Sequence, residues 1–466
     1  MTDHRLKKTT RLAVSAEEAF TWHEHPNAFE RLTPPWENVL VVKREGDGVK
    51  DGARWTMKIR KGPATLTWIA RMLDYREGRQ FRDQMEKGPF ASWDHRHLFE
   101  PAGDGAVCDY TDDVRYRLPV GALGELFGGS LARSDLERMF AYRHRIVASD
   151  LQLHAKAALA PMKILISGST GLVGQALTQF LTTGGHEVIR LTRSPKPNLP
   201  EKQILWDTRK GIENHAELEG LDAVIHLAGE NIAGLWTSEK KRKIHDSRKF
   251  GTETLAEALA GLERKPRVFL SASAVGIYGD TGDMEVTEAN SPMSEGFLVD
   301  VARDWEAAAL PAKEAGIRVV HPRIGIVLSP AGGALKAMLP AFKGFLGGRL
   351  GSGKQWFSWI ALDDMVGGLH HMLAHEELEG PVNLCAPNPV TNAEFTKTLA
   401  HVLHRPVGPP APAFAMKAAL GDFAREGLLA SLRVKPAKLL ASGYEYQYPT
   451  VEGALRHQLG RTKEST

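Results

Sequence analysis

The sequence predicts an α/β fold with a doubly wound parallel sheet and a small C-terminal lobe, preceded by a separate α+β domain. Three observations predict this arrangement. A chain of 466 residues, 42% of them hydrophobic, is too long for one core. A glycine-rich turn between a predicted strand and a predicted helix begins only at Gly168. After this turn apolar runs alternate with helical stretches, whereas before it strand-like runs follow one another directly.

The composition excludes several classes of protein. With 59 basic and 56 acidic residues interspersed, we expect a mixed solvated surface rather than a nucleic-acid-binding one. The two cysteines, Cys108 and Cys385, lack CxxC spacing, which argues against a disulfide scaffold or a structural zinc site and fits a reducing compartment. We expect no metal site. No run approaches the ~18 apolar residues of a membrane span, so we expect a cytoplasmic protein.

Residues 1–157 are predicted to form a domain of their own. Ser15 and Glu18 form a capping box ahead of a short helix, and a long helix is predicted from about Ser134. The strand-like runs between these helices are separated by turn residues and cover 39–44, 53–60, 64–73, 79–86, 92–100 and 106–118. This order suggests a curved antiparallel sheet that grips a helix.

That element order resembles the START-like (SRPBCC, polyketide-cyclase-like) helix-grip superfamily. The resemblance implies a cavity that binds an apolar ligand. The aromatic residues of the segment fit either a cavity lining or an ordinary core, and these are Trp22, Trp36, Trp55, Trp68, Phe81, Phe90 and Trp93.

A second domain is predicted over residues 162–390, after a break at Pro161. Its buried parallel strands are expected within 164–167, 188–191, 223–229, 268–273 and 319–328. A helix with Thr391 as N-cap and Glu394 three residues on opens the third domain, over residues 391–466. This small domain is expected on the substrate side.

The glycine-rich turn predicts a dinucleotide site of the Rossmann type. Gly168, Gly171 and Gly174 are spaced GxxGxxG, directly after an apolar strand and directly before an amphipathic helix. Glycines there permit a tight turn and let backbone N–H groups approach a pyrophosphate at the helix N-terminus. The intervening candidates for cofactor contact are Thr170, Leu172 and Val173.

The end of the second strand favours NADP(H) as the cofactor. An NAD site usually places an acidic residue there to accept hydrogen bonds from the ribose. This chain has Thr192 and Arg193 instead, and an arginine pairs with a 2′-phosphate. The alternative is that Arg193 is a surface residue at a strand end.

Several phrases resemble the extended short-chain dehydrogenase/reductases, and more closely their atypical, sugar-nucleotide-epimerase-like branch. They are LAGENI (227–232), SRKFGTETLAEAL (247–259), SASAVGIYG (271–279), RIGIVL (323–328), GSGKQWFSWIALDDM (351–365) and RVKPAKLLASGYEYQYPTVEGAL (433–455). The last phrase is similar to that branch's C-terminal domain. The resemblance implies cofactor contacts from Thr192, Arg193, Leu227, Ala228, Gly229, Arg248 and Val327.

The catalytic pair of this superfamily is missing. Active members carry a Tyr and a Lys four residues later on one helix, but Leu298 and Ala302 stand at those positions. Ser273 and Tyr278 remain as catalytic candidates, although Tyr278 also fits a packing role. The predicted function is an oxidoreductase or epimerase acting on an unidentified small molecule. The alternative is a non-catalytic NADP(H) sensor or a hydrophobic-ligand-binding adaptor.

The loop over 348–359 is predicted to face the substrate. Its spacing matches a phosphate-binding loop, but Gln355 replaces the residue that would bind magnesium, so ATP binding is not expected. Arg349, Lys354 and Gln355 offer hydrogen-bond donors, and Trp356 and Trp359 offer a stacking surface. Asp363 and Asp364 are expected to open a helix, as N-cap and first-turn carboxylate, and not to form a catalytic pair.

Overall fold

Two large sheets dominate the computed structural model, which describes residues 3–119, 121–197 and 199–462, with the side chains of 121–128 left out. The first is a seven-stranded antiparallel sheet, and the second is an eight-stranded parallel sheet. Among the described helices, none has the length and apolar character needed to cross a bilayer.

The first domain consists of the antiparallel sheet and the helices that it holds. Its elements are β1 (His4–Leu12), α1 (Ala16–Glu24), α2 (Ala28–Leu32), β2 (Val39–Glu45), β3 (Arg54–Lys61), β4 (Ala64–Arg76), β5 (Gln80–Lys87), β6 (Ser92–Ala102), β7 (Val107–Arg117) and α3 (Gly121–Ala157). The strand order is β1-β7-β6-β5-β4-β3-β2. The capping box at Ser15 is present as predicted. The fold is the helix-grip arrangement that the element order indicated.

The long helix α3 starts earlier than predicted, at Gly121 instead of about Ser134. The glycine-rich stretch GALGELFGG lacks the apolar periodicity that marks a helix in a sequence. Farther along, Phe140, Ile146 and Val147 are buried against the sheet and against α1. These contacts cover one face of the sheet and stabilise the helix.

The parallel sheet begins at β8, five residues after α3 ends. Its elements are β8 (Lys163–Ser167), α4 (Leu172–Thr183), β9 (Glu187–Thr192), β10 (Lys202–Leu205), β11 (Ala223–His226), α5 (Ser238–Ala260), β12 (Val268–Ser271), β13 (Ser273–Ala274), β14 (Glu285–Val286), α6 (Phe297–Ala307), α7 (Leu310–Glu314) and β15 (Arg318–Ile324). The order is β10-β9-β8-β11-β12-β15-β13, and a later strand, β19, also pairs with β15. The order reverses beside β8, which is where such sheets bind ligands.

Helices cover both faces of this sheet. Ile164 and Ile166 of β8 face one core, while Leu165 between them faces the other. The first core includes residues of α4, and the second includes residues of α5 and α7. Successive residues of a strand point to opposite faces, so an uninterrupted apolar run predicts a strand that is buried on both sides.

The remaining elements follow β15 in the chain and include the last strand of the parallel sheet. They are β16 (Ile326–Leu328), α8 (Gly333–Lys343), β17 (Trp356–Phe357), β18 (Trp359–Ala361), α9 (Leu362–Ala374), β19 (Gly380–Leu384), β20 (Val390–Thr391), α10 (Asn392–Val402), α11 (Ala413–Leu420), β21 (Arg433–Val434), α12 (Ala437–Ala441) and α13 (Val451–Gln458). Thr391 caps α10 in a capping box with Glu394, as predicted. Residues of α8, α10 and α13 share one apolar core.

Candidate functional site

The glycine turn packs too closely for any side chain at two of its positions. Gly168 has a φ of +69°, and a Cβ there would lie 2.8 Å from the backbone nitrogen of Ala228. A Cβ on Gly174 would lie 2.3 Å from the carbonyl oxygen of Gly168. Both glycines are therefore required by the contacts that join β8, β11 and α4.

The turn presents the N-terminus of α4 at the carboxyl end of the sheet. Gly171 is the N-cap of this helix, and Leu172 begins it. Thr170 and Gly171 are exposed, while Leu172 and Val173 are half-buried. Because the first N–H groups of a helix have no partner within it, and the helix dipole favours negative charge, this end is suited to a pyrophosphate.

A buried arginine holds the glycine turn in place. It was not among the predicted site residues. Arg190, on β9, donates through Nη1 to the carbonyl oxygen of Ser169 at 2.7 Å and pairs with Glu201 at 2.7 Å. It is 4% exposed. The signal in the sequence is a charged residue inside an otherwise apolar strand. The ion pair with Glu201 fixes the shape of the turn.

The end of β9 leaves an arginine side chain open to solvent. Thr192 donates its hydroxyl to the carbonyl oxygen of Ser194, which shapes the bend after the strand. Arg193 is exposed, and within the described residues no hydrogen bond or ion pair occupies its guanidinium. The pKa of Glu230 is held low mainly by its hydrogen bond with Lys240, and the charge of Arg193 contributes to this lowering.

The end of β11 lies against the glycine turn. Ser167 Oγ accepts hydrogen bonds from the backbone nitrogens of Leu227 (3.2 Å) and Ala228 (3.3 Å), so its proton is donated to His226 Nδ1, 2.6 Å away. Burial, assisted by the charge of Arg248, lowers the pKa of His226 to about 4. This neutral histidine orients the serine that holds the two strand ends together.

Arg248 reaches the same edge from α5. Its Nη1 donates to the carbonyl oxygens of Glu230 and Ile244, and its guanidinium stacks 4.8 Å from the ring of Trp305. A Cβ on Gly229 would lie 3.2 Å from the Arg248 guanidinium carbon, so glycine permits this approach. Burial lowers the pKa of Arg248 to about 10, which leaves the side chain charged at neutral pH.

The apolar residues that are predicted to contact the cofactor pack against one hydrophobic core. Leu172, Val173, Leu227 and Val327 are partly buried and pack against the same cluster under the sheet edge. The structure thus brings together the glycine turn, the end of β11 and β16, which are far apart in the sequence.

Both predicted catalytic hydroxyls belong to one buried polar network. Ser273 Oγ donates to Glu306 at 2.7 Å, and Glu306 pairs with Arg323 at 2.8 Å. Arg323 donates to the Tyr278 hydroxyl at 2.9 Å, and that hydroxyl donates to Asn383 at 2.7 Å. Ser273 and Tyr278 are each 1% exposed.

The same burial affects the acidity of the tyrosine. Burial raises the pKa of Tyr278, opposed by the charge of Arg323, so the phenol stays protonated at neutral pH. Helix α6 brings Leu298, Ala302 and Glu306 to one face at intervals of four residues. The carboxylate of the network therefore lies one turn beyond the position where related enzymes carry their lysine.

The loop over 348–359, predicted to face the substrate, has two exposed cations and a buried amide. Arg349 and Lys354 are exposed. Gln355 is buried, and its amide nitrogen donates to the carbonyl oxygen of Leu350 at 3.1 Å. Trp356 donates to Asp283 and lies under Arg433, 4.4 Å from ring to guanidinium. The expectation that Trp359 offers a stacking surface is wrong, because its side chain is fully buried and donates to the carbonyl oxygen of Asn388.

The acidic pair at the start of α9 does not cap the helix. Ala361 is the N-cap, and no side chain bonds there, so the predicted N-cap role of Asp363 is wrong. Asp363 instead accepts hydrogen bonds from Arg31, His457 and Gln458. Asp364 accepts from two backbone nitrogens of the C-terminal lobe, and burial raises its pKa to about 7. Both carboxylates therefore make tertiary contacts and do not cap the helix.

The antiparallel sheet and α3 enclose a second candidate site, a cavity of about 400 Å³. The aromatic residues that line it include Phe29, Trp55, Trp68, Phe81, Phe90 and Trp93. Trp22 lies in the core beside it, and Trp36 packs on Tyr142. Polar side chains also line this cavity, among them Asp83, His95 and His97.

Family models match three segments of the chain. Residues 12–140 match the family model described as polyketide cyclase/dehydrase and lipid transport. Residues 164–385 match the NAD dependent epimerase/dehydratase family, and residues 411–458 match a domain of unknown function, DUF1731. An epimerase family protein of Mycobacterium bovis, Mb2239, is 42% identical over 304 residues, which are 65% of this chain and 99% of the relative.

Two solved structures extend the comparison. A nucleoside-diphosphate sugar epimerase from Corynebacterium glutamicum is 34% identical, with a TM-score of 0.80, covering 99% of this chain and 91% of that one. The human epimerase family protein SDR39U1, solved with NADPH, is also 34% identical, with a TM-score of 0.59, covering 64% of this chain and 99% of that one. The chain belongs to the epimerase family of short-chain dehydrogenase/reductase-like proteins, and it carries a polyketide-cyclase-like domain ahead of the epimerase-like part.

Proposed function

We propose that this chain binds NADP(H) at the carboxyl ends of β8, β9 and β11 and acts as an oxidoreductase or epimerase on a small molecule. The observation that carries the proposal is the pairing of a glycine cradle at the α4 N-terminus with an unengaged Arg193 at the end of β9. The human relative was solved with NADPH, which supports the same cofactor here. NADP(H) would supply or accept a hydride.

Different residues of the chain would bind different parts of the cofactor. The first turn of α4, at Leu172 and Val173, would hold the pyrophosphate, and Arg193 would pair with the 2′-phosphate. Leu227, Ala228, Gly229 and Arg248 would border the adenosine side, and Val327 the nicotinamide side. We propose that Arg349, Lys354, Gln355 and Trp356 face the substrate, and that the domain limits are 1–157, 162–390 and 391–466.

The cofactor proposal is tested by the preference between NADPH and NADH. For Arg193→Ala we expect NADPH affinity to fall about tenfold to a hundredfold, since a charge-assisted contact is lost, while NADH affinity changes less than about twofold. Arg264→Ala is the matched control, because Arg264 is also exposed but follows α5 at the amino end of β12. Tighter binding of NADH than of NADPH by the unaltered protein would overturn the proposal.

A second candidate function, a non-catalytic NADP(H) sensor, is favoured by the buried network around Tyr278. Its hydroxyl proton is already donated to Asn383, and Leu298 and Ala302 replace the usual acid and its lysine. Single-turnover oxidation of bound NADPH by a panel of carbonyl compounds separates the two functions. Turnover that Tyr278→Phe or Ser273→Ala abolishes would support a catalytic role for that hydroxyl, whereas no turnover with any compound would support the sensor.

We further propose that the cavity of the first domain binds an apolar ligand. Its aromatic lining supports this, and Ala132 of α3 also borders it. Ala132→Trp should fill the cavity and abolish the fluorescence enhancement of N-phenylnaphthylamine. Ala155→Trp places the same ring at an exposed site on the same helix and should leave the enhancement unchanged. Equal enhancement in both variants would place the probe elsewhere.

A further inference from the structure

Three potential ligand atoms converge among the residues that line the first-domain cavity. Asp83 Oδ2 lies 2.9 Å from His95 Nδ1 and 3.3 Å from His97 Nε2. The ligand atoms of these three residues all lie within 4.8 Å of one another. All three residues also line the cavity, so the point on which they converge opens toward its interior.

The remaining nitrogens of both histidines lie beside one carboxylate, which is hydrogen-bonded to His95 but lacks the geometry of a hydrogen bond to His97. Asp112 Oδ1 lies 3.0 Å from His95 Nε2 and 3.0 Å from His97 Nδ1. A carboxylate at the far nitrogen fixes the orientation of an imidazole and leaves the near nitrogen free to bind a metal. The two near nitrogens are the atoms that face Asp83.

Asp112 is itself held in place by two further side chains. The Tyr110 hydroxyl donates to it at 2.9 Å, and His144 Nε2 lies 3.2 Å from its other oxygen. The side chain of Asp112 is fully buried. The cluster therefore has an inner layer, Asp83 with His95 and His97, and an outer layer centred on Asp112.

A buried histidine adds a free nitrogen to the same cavity. His23 Nδ1 donates to the carbonyl oxygen of Ala19 at 2.7 Å, so its proton is on that nitrogen. His23 Nε2 has no hydrogen-bond partner in the described part of the chain, although the residue is only 4% exposed. This ring lines the cavity and lies 6.2 Å from the ring of His97.

We propose that Asp83, His95 and His97 bind one divalent transition-metal ion at the wall of this cavity. Metal–ligand distances of about 2.1 Å place neighbouring ligand atoms about 3.0–3.4 Å apart, and the separations from Asp83 already fall near that interval. Two histidines and one carboxylate suit iron(II), zinc and related ions. The positions not taken by protein face the cavity, where a bound molecule can reach the ion.

A second histidine group offers an internal comparison. His154, His186 and His370 also lie within ligand distance of one another. His186 Nδ1 accepts the backbone N–H of Met162, so the other nitrogen carries the proton and has no lone pair for a metal. No carboxylate belongs to this group. We therefore place the ion at Asp83 and use the second group as the control.

The test uses the full-length protein, stripped of metal with EDTA and titrated with Co²⁺. We expect one equivalent to bind, with visible d–d absorption, and Zn²⁺ to displace it. Asp83→Asn and His97→Gln should each weaken binding at least tenfold, and Asp112→Asn about 10- to 100-fold. His370→Gln should bind Co²⁺ like the unaltered protein.

The opposite results overturn the proposal. It fails if the unaltered protein shows no d–d absorption, or if His370→Gln removes the absorption while His97→Gln keeps it. Circular dichroism without metal checks that each variant is folded. Should the variants not fold, anomalous scattering at the zinc edge from crystals of the unaltered protein decides the matter: density between Asp83 and His97 supports the site, and its absence there overturns it.

Discussion

The Arg31 guanidinium lies 3.1 Å from the Asp363 carboxylate, although 332 positions separate the two residues. Arg31 belongs to α2 of the first domain, and Asp363 to the first turn of α9. Arg31 also pairs with Asp150 of α3 at 2.7 Å, and all three side chains are almost completely buried. One buried charge therefore joins the helix-grip domain to the parallel-sheet part of the chain.

Removing this charge should be costly. Arg31→Met takes from buried Asp150 its ion-pair partner and leaves Asp363 with His457 and Gln458 alone, and we expect a loss of about 3–5 kcal/mol in the free energy of unfolding. Urea denaturation followed by fluorescence measures it. Arg54→Met is the matched control, because Arg54 pairs with Glu86 at the surface and should change stability by less than about 1 kcal/mol. Equal losses in both variants would contradict the role given to Arg31.

A methyl group in the glycine turn should disturb cofactor binding. The Cβ of Gly174→Ala would clash with the carbonyl oxygen of Gly168, so the turn must shift away from α4. We expect NADPH affinity, measured by calorimetry, to fall at least about tenfold, because the N–H groups that would hold the pyrophosphate move with the turn. Gly261→Ala meets only ordinary contacts, of 3.6 Å or more, and should leave the affinity unchanged.

The hydroxyl of Tyr278 should contribute to stability whether or not it takes part in catalysis. In Tyr278→Phe, Asn383 loses a hydrogen-bond donor and Arg323 loses an acceptor, both in buried surroundings. We expect the free energy of unfolding to fall by about 1–3 kcal/mol. Tyr448→Phe serves as the comparison, since no hydrogen bond of its hydroxyl is found among the described residues. A stable Tyr278→Phe protein would show that the network does not depend on this hydroxyl.

Acid should weaken the fold through His226. The pKa of His226 is lowered from its ordinary value of 6.5 to about 4 by burial. Between these values the unfolded chain takes up a proton that the folded chain does not, so stability falls as the pH falls, by up to about 3 kcal/mol at pH 4. Unfolding at several pH values should show a shallower dependence for His226→Asn. The exposed His401→Gln should reproduce the original dependence, and an unchanged slope in His226→Asn would exclude this origin.

The glycine turn and the helix caps were predictable because their causes are local. Gly168 and Gly174 are six residues apart, and the clash that excludes side chains arises within that stretch and from the strand beside it. The capping boxes at Ser15 and Thr391 each involve residues three positions apart. Patterns of this length are visible in a sequence because they rest on local backbone geometry and on hydrogen bonds between neighbouring residues.

The arginines and the histidine cluster were not predictable in the same way. In the sequence Arg190 is an unexplained charge within a buried strand, and only the fold places Glu201 beside it. His95 and His97 are two positions apart on one strand and so share a face, and this spacing is visible in the sequence. The strand register sets their partners, pairing Asp83 with His95 and His97 with Asp112. A one-residue shift would turn every one of these side chains to another neighbour.

The sequence by itself determined the two kinds of sheet, the glycine cradle of a dinucleotide fold and the loss of the tyrosine–lysine pair. These follow from periodicity, short spacings and the presence or absence of single side chains. Only the tertiary structure decided that Ser273 and Tyr278 are buried in one network, that Asp363 binds Arg31 and that three ligand atoms meet in the first-domain cavity. Each of these contacts joins residues that are distant in the chain, and sheet register and domain packing alone bring them within hydrogen-bonding distance.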